Sequence, residues 1–205
     1  MIKRLKAIAL SGSLLLTPLF SATSIAEEKE KFKGFYMMTG IGLTNTTDID
    51  LSVGGSIVFD KGALWDIGAG YDFGNIRAEI SYDETTENVD TVQGNQAGTQ
   101  VKTRSVFATA YYDFRSDKKW QPYLGLGIGN SEIEATTAYV GNITLSAGDT
   151  NITSAIVKAG VSYSFENSDI FLERSGQGFD DFTIGSFTYT GVAVGSWTLG
   201  FRQRF

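Results

Sequence analysis

Apolar residues alternate with small, polar or charged ones along most of this chain, in runs of roughly ten positions. Alternation with period two marks a half-buried β-strand, whose successive side chains point to opposite faces. The first run, 34–43, sets Phe35, Met37, Thr39 and Ile41 against Met38, Gly40 and Gly42. The second, 64–73, sets Trp65, Ile67, Ala69, Tyr71 and Phe73 against Asp66, Gly68, Gly70 and Asp72. The third, 76–83, sets Ile76, Ala78, Ile80 and Tyr82 against Arg77, Glu79, Ser81 and Asp83. The fourth, 102–114, sets Val106, Ala108, Ala110, Tyr112 and Phe114 against Ser105, Phe107, Thr109, Tyr111 and Asp113. The fifth, 120–129, sets Pro122, Leu124, Leu126 and Ile128 against Tyr123, Gly125, Gly127 and Gly129. The sixth, 154–165, sets Ala155, Val157, Ala159, Val161, Tyr163 and Phe165 against Lys158, Gly160, Ser162 and Ser164. A seventh begins near Asp169 with poor alternation. The eighth closes on Trp197, Leu199, Phe201 and Phe205, alternating with Thr198, Gly200, Arg202 and Arg204; Gln203 interrupts its apolar face.

The connections between these runs are of two kinds. Those at 74–75, 115–119 and 166–168 are short, and Gly74-Asn75 tolerates the positive φ of a tight hairpin. Those at 44–63, 84–101, 130–153 and 175–195 are long. Short turns interleaved with long loops predict an all-β fold, an eight-stranded antiparallel up-and-down transmembrane β-barrel with both termini on the side of the short turns. Residues 27–33 read as a short solvated leader, and 27–205 as one barrel domain.

Charge settles which solvent each face meets. In the six regular runs and the eighth, the apolar face carries no Asp, Glu, Lys or Arg. The charges Asp66, Asp72, Arg77, Glu79, Asp83, Asp113, Lys158, Arg202 and Arg204 all lie on the other face. A basic residue facing lipid costs about 2–4 kcal/mol at the bilayer midplane. A membrane selects this partition, with an apolar exterior and a polar lumen; a soluble ligand-binding barrel reverses it. Eight strands leave just enough interior for side chains, so the luminal glycines make the space.

The N-terminal residues fit the same compartment. Lys3, Arg4 and Lys6 precede a mostly apolar stretch, and Ser24-Ile25-Ala26 offers small residues for cleavage, so 1–26 read as a secretory signal peptide. Removing it leaves 179 residues with 14 basic and 23 acidic side chains, a net charge of −9. So acidic a chain is unsuited to nucleic acid. The sequence contains no Cys and no His, which removes thiolate chemistry, Ser-His-Asp and Cys-His nucleophiles and His-based metal sites.

Three stretches resemble a known family. Gly70-Tyr71-Asp72-Phe73-Gly74-Asn75-Ile76-Arg77-Ala78-Glu79, Ala110-Tyr111-Tyr112-Asp113-Phe114 and Pro122-Tyr123-Leu124-Gly125-Leu126-Gly127-Ile128-Gly129 are similar to segments of opacity-type outer-membrane β-barrel proteins, a group related in fold to the membrane domain of outer-membrane protein A. The terminal Phe205 agrees. Two departures stand out: Phe171-Leu172-Glu173-Arg174-Ser175-Gly176 replaces the family's Gly-Tyr-Arg-Tyr-like seventh strand, and Gln203 stands where an aromatic residue is usual. The resemblance implies residence in the bacterial outer membrane with periplasmic termini, and contact with outer-membrane lipid and lipopolysaccharide. It also implies insertion by an assembly machinery that reads the last strand through Trp197, Leu199, Phe201 and Phe205.

The candidate sites are then few. The luminal charges Asp66, Asp72, Arg77, Glu79, Asp113, Lys158, Arg202 and Arg204 either line a narrow ion path or form a paired network that plugs the barrel. Their mixed sign favours the plug, since a selective pore shows a ring of one sign. The long loops hold Asp48, Asp50, Glu84, Glu87, Asp90, Glu132, Glu134, Asp149, Asp180 and Asp181 without regular calcium-ligand spacing. Asp180 and Asp181 are adjacent and point apart on a strand, which makes them poor acid–base partners. Trp65, Tyr82, Tyr112, Phe114, Trp120, Phe165, Trp197 and Phe205 read as interfacial girdles. No catalytic, cofactor or metal site is expected. The expected role is structural and adhesin-like, with four extracellular loops offering a surface to a host or environmental ligand; the alternative is a small, weakly selective pore.

Overall fold

The computed structural model describes residues 32–50, 56–92, 95–115, 118–135, 138–140, 143–145, 148–184 and 187–205. The Ser24-Ile25-Ala26 cleavage site and the side chains of Asp50 and Asp149 lie outside that set. Eight long strands build the barrel: β1 Gly34–Thr46, β2 Gly62–Asp72, β3 Ile76–Val92, β4 Asn95–Asp113, β5 Trp120–Ala135, β6 Gly148–Ser164, β7 Ser168–Phe179 and β8 Ala193–Arg204. Each pairs antiparallel with its sequence neighbours, and β8 returns to β1, so no long edge is left open.

The register fixes the barrel's geometry. Stepping from strand to strand, Tyr36 faces Gly70, then Glu79, Thr109, Gly127, Ile156, Gln177 and Val194. Val194 returns to β1 at Thr46, ten residues beyond the start, which gives a shear of 10 for eight strands. Every step preserves the inside–outside alternation, because a slip of one residue would turn a whole strand's apolar side into the lumen.

Asp72 shapes the first short turn. Its Oδ1 accepts from the Gly74 backbone N–H at 2.8 Å, and Phe73 N–H bonds the Ile76 carbonyl at 2.8 Å. Gly74 adopts a φ of +108°, a conformation that a side chain disfavours. On the outside, Leu126, Ile128, Ile80, Ile41 and Leu199 stand more than half exposed in an uninterrupted apolar band. Rings rim its lower edge: Phe35, Tyr71 and Phe73 stack in sequence at 4.9 and 4.6 Å, and Trp120, Tyr163 and Phe165 at 5.0 and 5.3 Å.

Three expectations need correction. The stretches 84–101 and 130–153 are not simply loops: β3 runs to Val92, β4 starts at Asn95, β5 runs to Ala135 and β6 starts at Gly148. These strands have 16 to 19 residues, beyond the roughly 9–11 that a tilted spanning strand needs, so the wall from β3 to β6 rises above the membrane. Ser56–Phe59 pairs with the raised part of β3. The residues are Thr- and Glu-rich, which disguised them as loop, but Val89, Ile133 and Ile152 still point inward. With Ile57, Val92 and Val192 they form an apolar cluster over the extracellular end of the lumen. Second, β7 alternates well, with Asp169, Phe171, Glu173 and Gln177 inside and Ile170 and Leu172 outside. Large residues point both ways there, which hid the period. Third, the leader is not wholly solvated: Phe32 is only 4% exposed, with the guanidinium carbons of Arg115 and Arg204 at 4.3 and 5.0 Å from its ring centre.

Candidate functional site

The lumen is filled from end to end, and the filling follows from the register. Five aromatic rings point inward, each beside a glycine that is its register partner on the next strand. These pairs are Tyr36 with Gly70, Tyr111 with Gly125, Phe107 with Gly129, Tyr123 with Gly160 and Phe171 with Gly200. A Cβ on any of these glycines would overlap the ring. Each glycine lets a ring lie flat against the wall, which fits large side chains into a narrow interior. Tyr36, Met38, Tyr111, Tyr123 and Phe171 form one buried cluster.

The charges interleave with this cluster. At the periplasmic end, Arg115 reaches Asp72 and Asp113, the latter at 2.9 Å, and its Nε donates to the Gly74 carbonyl at 2.9 Å. Arg202 Nη1 donates to Asp169 Oδ2 at 3.0 Å, and Arg204 grips the same carboxylate through Nη1 at 3.0 Å and through Nη2. Arg204 Nε stands 3.8 Å from Asp72. One layer up, Arg77 Nε donates to Asp113 at 2.8 Å while its guanidinium lies 4.2 Å from the Tyr111 ring centre and 5.0 Å from that of Tyr123. Arg202 lies 5.2 Å from Tyr36 and 5.3 Å from Phe171. Cation–π contacts thus join the aromatic and ionic layers.

Glu79 and Glu173 tie the layers together. Glu79 accepts from the hydroxyls of Tyr36 at 2.9 Å and Tyr111 at 2.8 Å, and Glu173 accepts from Tyr123 at 3.0 Å. Lys158 Nζ stands 3.3 Å from Glu173 Oε1. Above them, Gln177 donates to Ser105 and Ser131, and Ser131 links onward to Ser154 at 2.7 Å. Asp66 and Asp83 face each other across the β2–β3 ladder, and Glu87 accepts from Thr46. The balance of charge differs between the halves. Among the described residues, Asp72, Asp113, Asp169 and Glu79 below meet Arg77, Arg115, Arg202 and Arg204, and Asp66, Asp83, Glu87 and Glu173 above meet Lys158 alone.

The eight charges singled out from sequence, Asp66, Asp72, Arg77, Glu79, Asp113, Lys158, Arg202 and Arg204, all lie buried in this interior. Asp83, already on the charged side of the third run, stands with them, as do four charges not singled out from sequence: Glu87, Arg115, Asp169 and Glu173. The first two sat in stretches read as loop and turn, and the last two in the strand with the masked period. Trp197, Leu199, Phe201 and Phe205 stand on the outer face, 43 to 77% exposed. Lys102 and Arg104 stand on the outer side of the fourth run, which corrects the expectation of a charge-free apolar face there, and Arg174 stands on the outer face of β7.

The extracellular wall carries a second charged group. Lys102 Nζ stands 3.0 Å from Glu84, and Arg104 bridges Glu84 at 3.3 Å, Glu132 at 3.4 Å and Glu134. Trp65 Nε1 and the Tyr82 hydroxyl donate to Glu84 at 3.4 and 3.2 Å, seating this group directly above the girdle. The hydrogen bond from Lys102 holds the Glu84 carboxyl below its usual range, and the bond to Glu134 raises the Arg104 guanidinium above its own. Among the described residues no group of three or more Asp and Glu side chains is arranged to hold a metal ion.

A closed eight-stranded barrel that is apolar outside, ionic inside and rimmed with aromatic rings is an outer-membrane β-barrel protein. The family model of the outer membrane protein beta-barrel domain matches residues 12–205, and the chain belongs to that family. It is a protein of the bacterial outer membrane, with both termini on the periplasmic side. Among solved structures, Neisserial surface protein A is similar over 84% of this chain and 97% of its own, with 24% identity and a TM-score of 0.58. The attachment invasion locus protein Ail of Yersinia pestis is similar over 84% and 99%, with 18% identity and a TM-score of 0.51. OprG from Pseudomonas aeruginosa is similar over 84% and 96%, with 15% identity and a TM-score of 0.55. These likenesses concern the fold. No curated protein matches the chain.

Proposed function

We propose that this protein is a closed, non-enzymatic surface barrel whose raised extracellular wall and loops form a contact surface for a basic partner. The filled lumen carries this reading. A conducting pore needs a continuous water path, yet Arg77 is 0% exposed and Tyr36, Tyr123, Phe171 and Lys158 are each 1% exposed. Side chains that water cannot touch do not line a channel. The alternative of a small, weakly selective pore would require the rings and the Arg77–Asp113 and Lys158–Glu173 pairs to move together, and partners buried in this way are costly to separate.

The partner's chemistry follows from charge. Over 44–63, 84–104, 130–153 and 175–195 the acids are Asp48, Asp50, Asp60, Glu84, Glu87, Asp90, Glu132, Glu134, Asp149, Asp180 and Asp181. The bases are Lys61, Lys102 and Arg104; with Glu87 turned into the lumen, 10 acids face 3 bases. Ail has been solved with the heparin analogue sucrose octasulfate. A polyanion of that kind suits this surface poorly, because like charges repel on approach, whereas a basic polypeptide or matrix protein is steered to it. The absence of His and Cys from the sequence leaves no ready nucleophile or base for catalysis.

Cells displaying the protein are expected to bind a polylysine-coated surface and a basic matrix protein more than heparin, with binding that falls as salt rises. Neutralising Asp180 and Asp181 together with Asp90 should weaken that binding. Equal binding to heparin, or binding indifferent to those changes, would contradict the assignment.

A further inference from the structure

Between the two aromatic girdles, Arg174 is the only charged side chain on the outer face of the described strands. It lies on β7 opposite Ala159 and Trp197. Its guanidinium carbon stands 5.6 Å from the Trp197 ring centre. The head group also lies against Gly195, where a Cβ would overlap it, and Gly195 pairs with Gly176. Gly195 is the next outward position above Trp197, so Arg174 reaches toward the extracellular side across a glycine notch. Trp197 is eight residues up β8 from Phe205. At about 3.3 Å per residue and a tilt of roughly 40°, that is ~20 Å, and Gly195 comes at ~25 Å, the upper edge of the apolar band.

The other outward cations of the raised wall, Lys102 and Arg104, are matched by Glu84, Glu132 and Glu134. Arg174 makes no ion pair with a described carboxylate, and neither does exposed Lys61. Lys61 belongs to the same arc of wall. Asn45 is the register partner of Gly195, and Lys61 stands one step beyond the Thr44–Gly62 pair, on the strand next to Asn45. Three strand spacings of about 4.8 Å and an offset of two residues, about 6.6 Å, along the strand separate Lys61 from Arg174, roughly 16 Å at the backbone and within joint reach of two long side chains.

We propose that Arg174, held by Trp197 and the Gly176–Gly195 notch and flanked by Lys61, is a binding site for the phosphate of an outer-leaflet lipid. A guanidinium presents paired donors that match phosphate oxygens, and its upward turn places them at headgroup level on the extracellular side. In a bacterial outer membrane the phosphate-bearing lipid of that leaflet is lipopolysaccharide. The site rests on the membrane location and on the outer wall, not on the contact role of the loops, so loss of cell-surface binding leaves it untouched.

The test uses the folded full-length mature chain in maltoside micelles, which carry no phosphate, titrated with purified lipopolysaccharide and, separately, with inorganic phosphate. Thermal unfolding is followed by circular dichroism for wild type, Arg174→Gln, Arg174→Lys and Lys61→Gln. Lipopolysaccharide should raise the wild-type midpoint. Arg174→Gln should need about tenfold more lipid for the same rise, and Lys61→Gln and Arg174→Lys should fall between. Without lipid the four should unfold within a few degrees of one another, since Arg174 has no protein anion to lose and only its Trp197 contact changes. Three results would each overturn the proposal: no rise in wild type, an undiminished rise in Arg174→Gln, or a rise that inorganic phosphate reproduces at equal phosphate concentration.

Discussion

Lys158 shows how closely single side chains are matched inside the barrel. Among the described residues it is the one cation in an upper lumen that also holds Asp66, Asp83, Glu87 and Glu173. Lys158→Ala strands Glu173 without its partner and should destabilise the fold by about 3–5 kcal/mol, measured by urea unfolding in liposomes. Adding Glu173→Gln to that variant should recover part of the loss; a strictly additive double variant would deny the coupling. The glycines are tuned as tightly. Gly129→Ala sets a methyl against the Val106 carbonyl and the Phe107 ring, and should cost about 1–3 kcal/mol in the same assay. On the outer wall, Glu84 is held in its charged form by Lys102, so its folded carboxyl titrates below the ordinary value of 4.5. A depressed carboxylate contributes stability above its unfolded pKa and loses that contribution as pH falls through the folded value. In Lys102→Ala, a carbon-13 titration should find Glu84 moved back up toward 4.5; an unmoved midpoint would dismiss Lys102 as the cause.

At the scale of strands, the raised wall from β3 to β6 is the feature that separates this barrel from a minimal one. The chain has no cysteine, so single-cysteine labelling has no background. Asp90→Cys on the exposed upper part of β3 should react with an impermeant maleimide on whole cells, while Glu166→Cys in the short turn before β7 should react only after the outer membrane is opened. Labelling at 166 on intact cells would invert the topology. Much of this architecture was legible in the sequence. Period two and charge-free apolar faces located six strands and the eighth, because lipid on one side and ions on the other exert opposite demands on neighbouring residues. Above the membrane that contrast disappears. Thr85, Thr86, Glu87 and Asn88 then alternate only in which way they point, and β3 and β4 pass for loop. In β7, Phe171 points in and Leu172 out, so hydrophobicity carries no period there, and luminal Asp169 and Glu173 were lost with it. The register-paired rings and glycines were visible as residues but not as pairs, since pairing needs the strand-to-strand stagger that the shear of 10 sets.

For the whole molecule, three physical demands converge. The bilayer requires an unbroken greasy exterior, and an eight-stranded circumference leaves an interior only side chains wide. The polar groups forced inside must then satisfy one another. The barrel answers these demands by stacking Arg77 and Arg202 against tyrosines, pairing acids with arginines below, and covering the extracellular end with Ile57, Val89, Val92, Ile133, Ile152 and Val192, while Asp66 Oδ1 and the Thr109 hydroxyl keep no hydrogen-bond partner among the described residues. What remains for interaction is the acidic wall and loops outside and the Arg174 notch at the lipid edge. A protein built this way should give no steady channels in planar bilayers. The most direct measurement is solid-state NMR of the folded protein in lipid bilayers, comparing magnetisation transfer from water and from acyl chains. The account predicts acyl-chain contacts for the Leu126 and Ile128 methyls and no rapid transfer from bulk water to the Arg77 guanidinium. Strong bulk-water transfer to Arg77, or acyl-chain contacts that fail to reach Leu126 and Ile128, would contradict it.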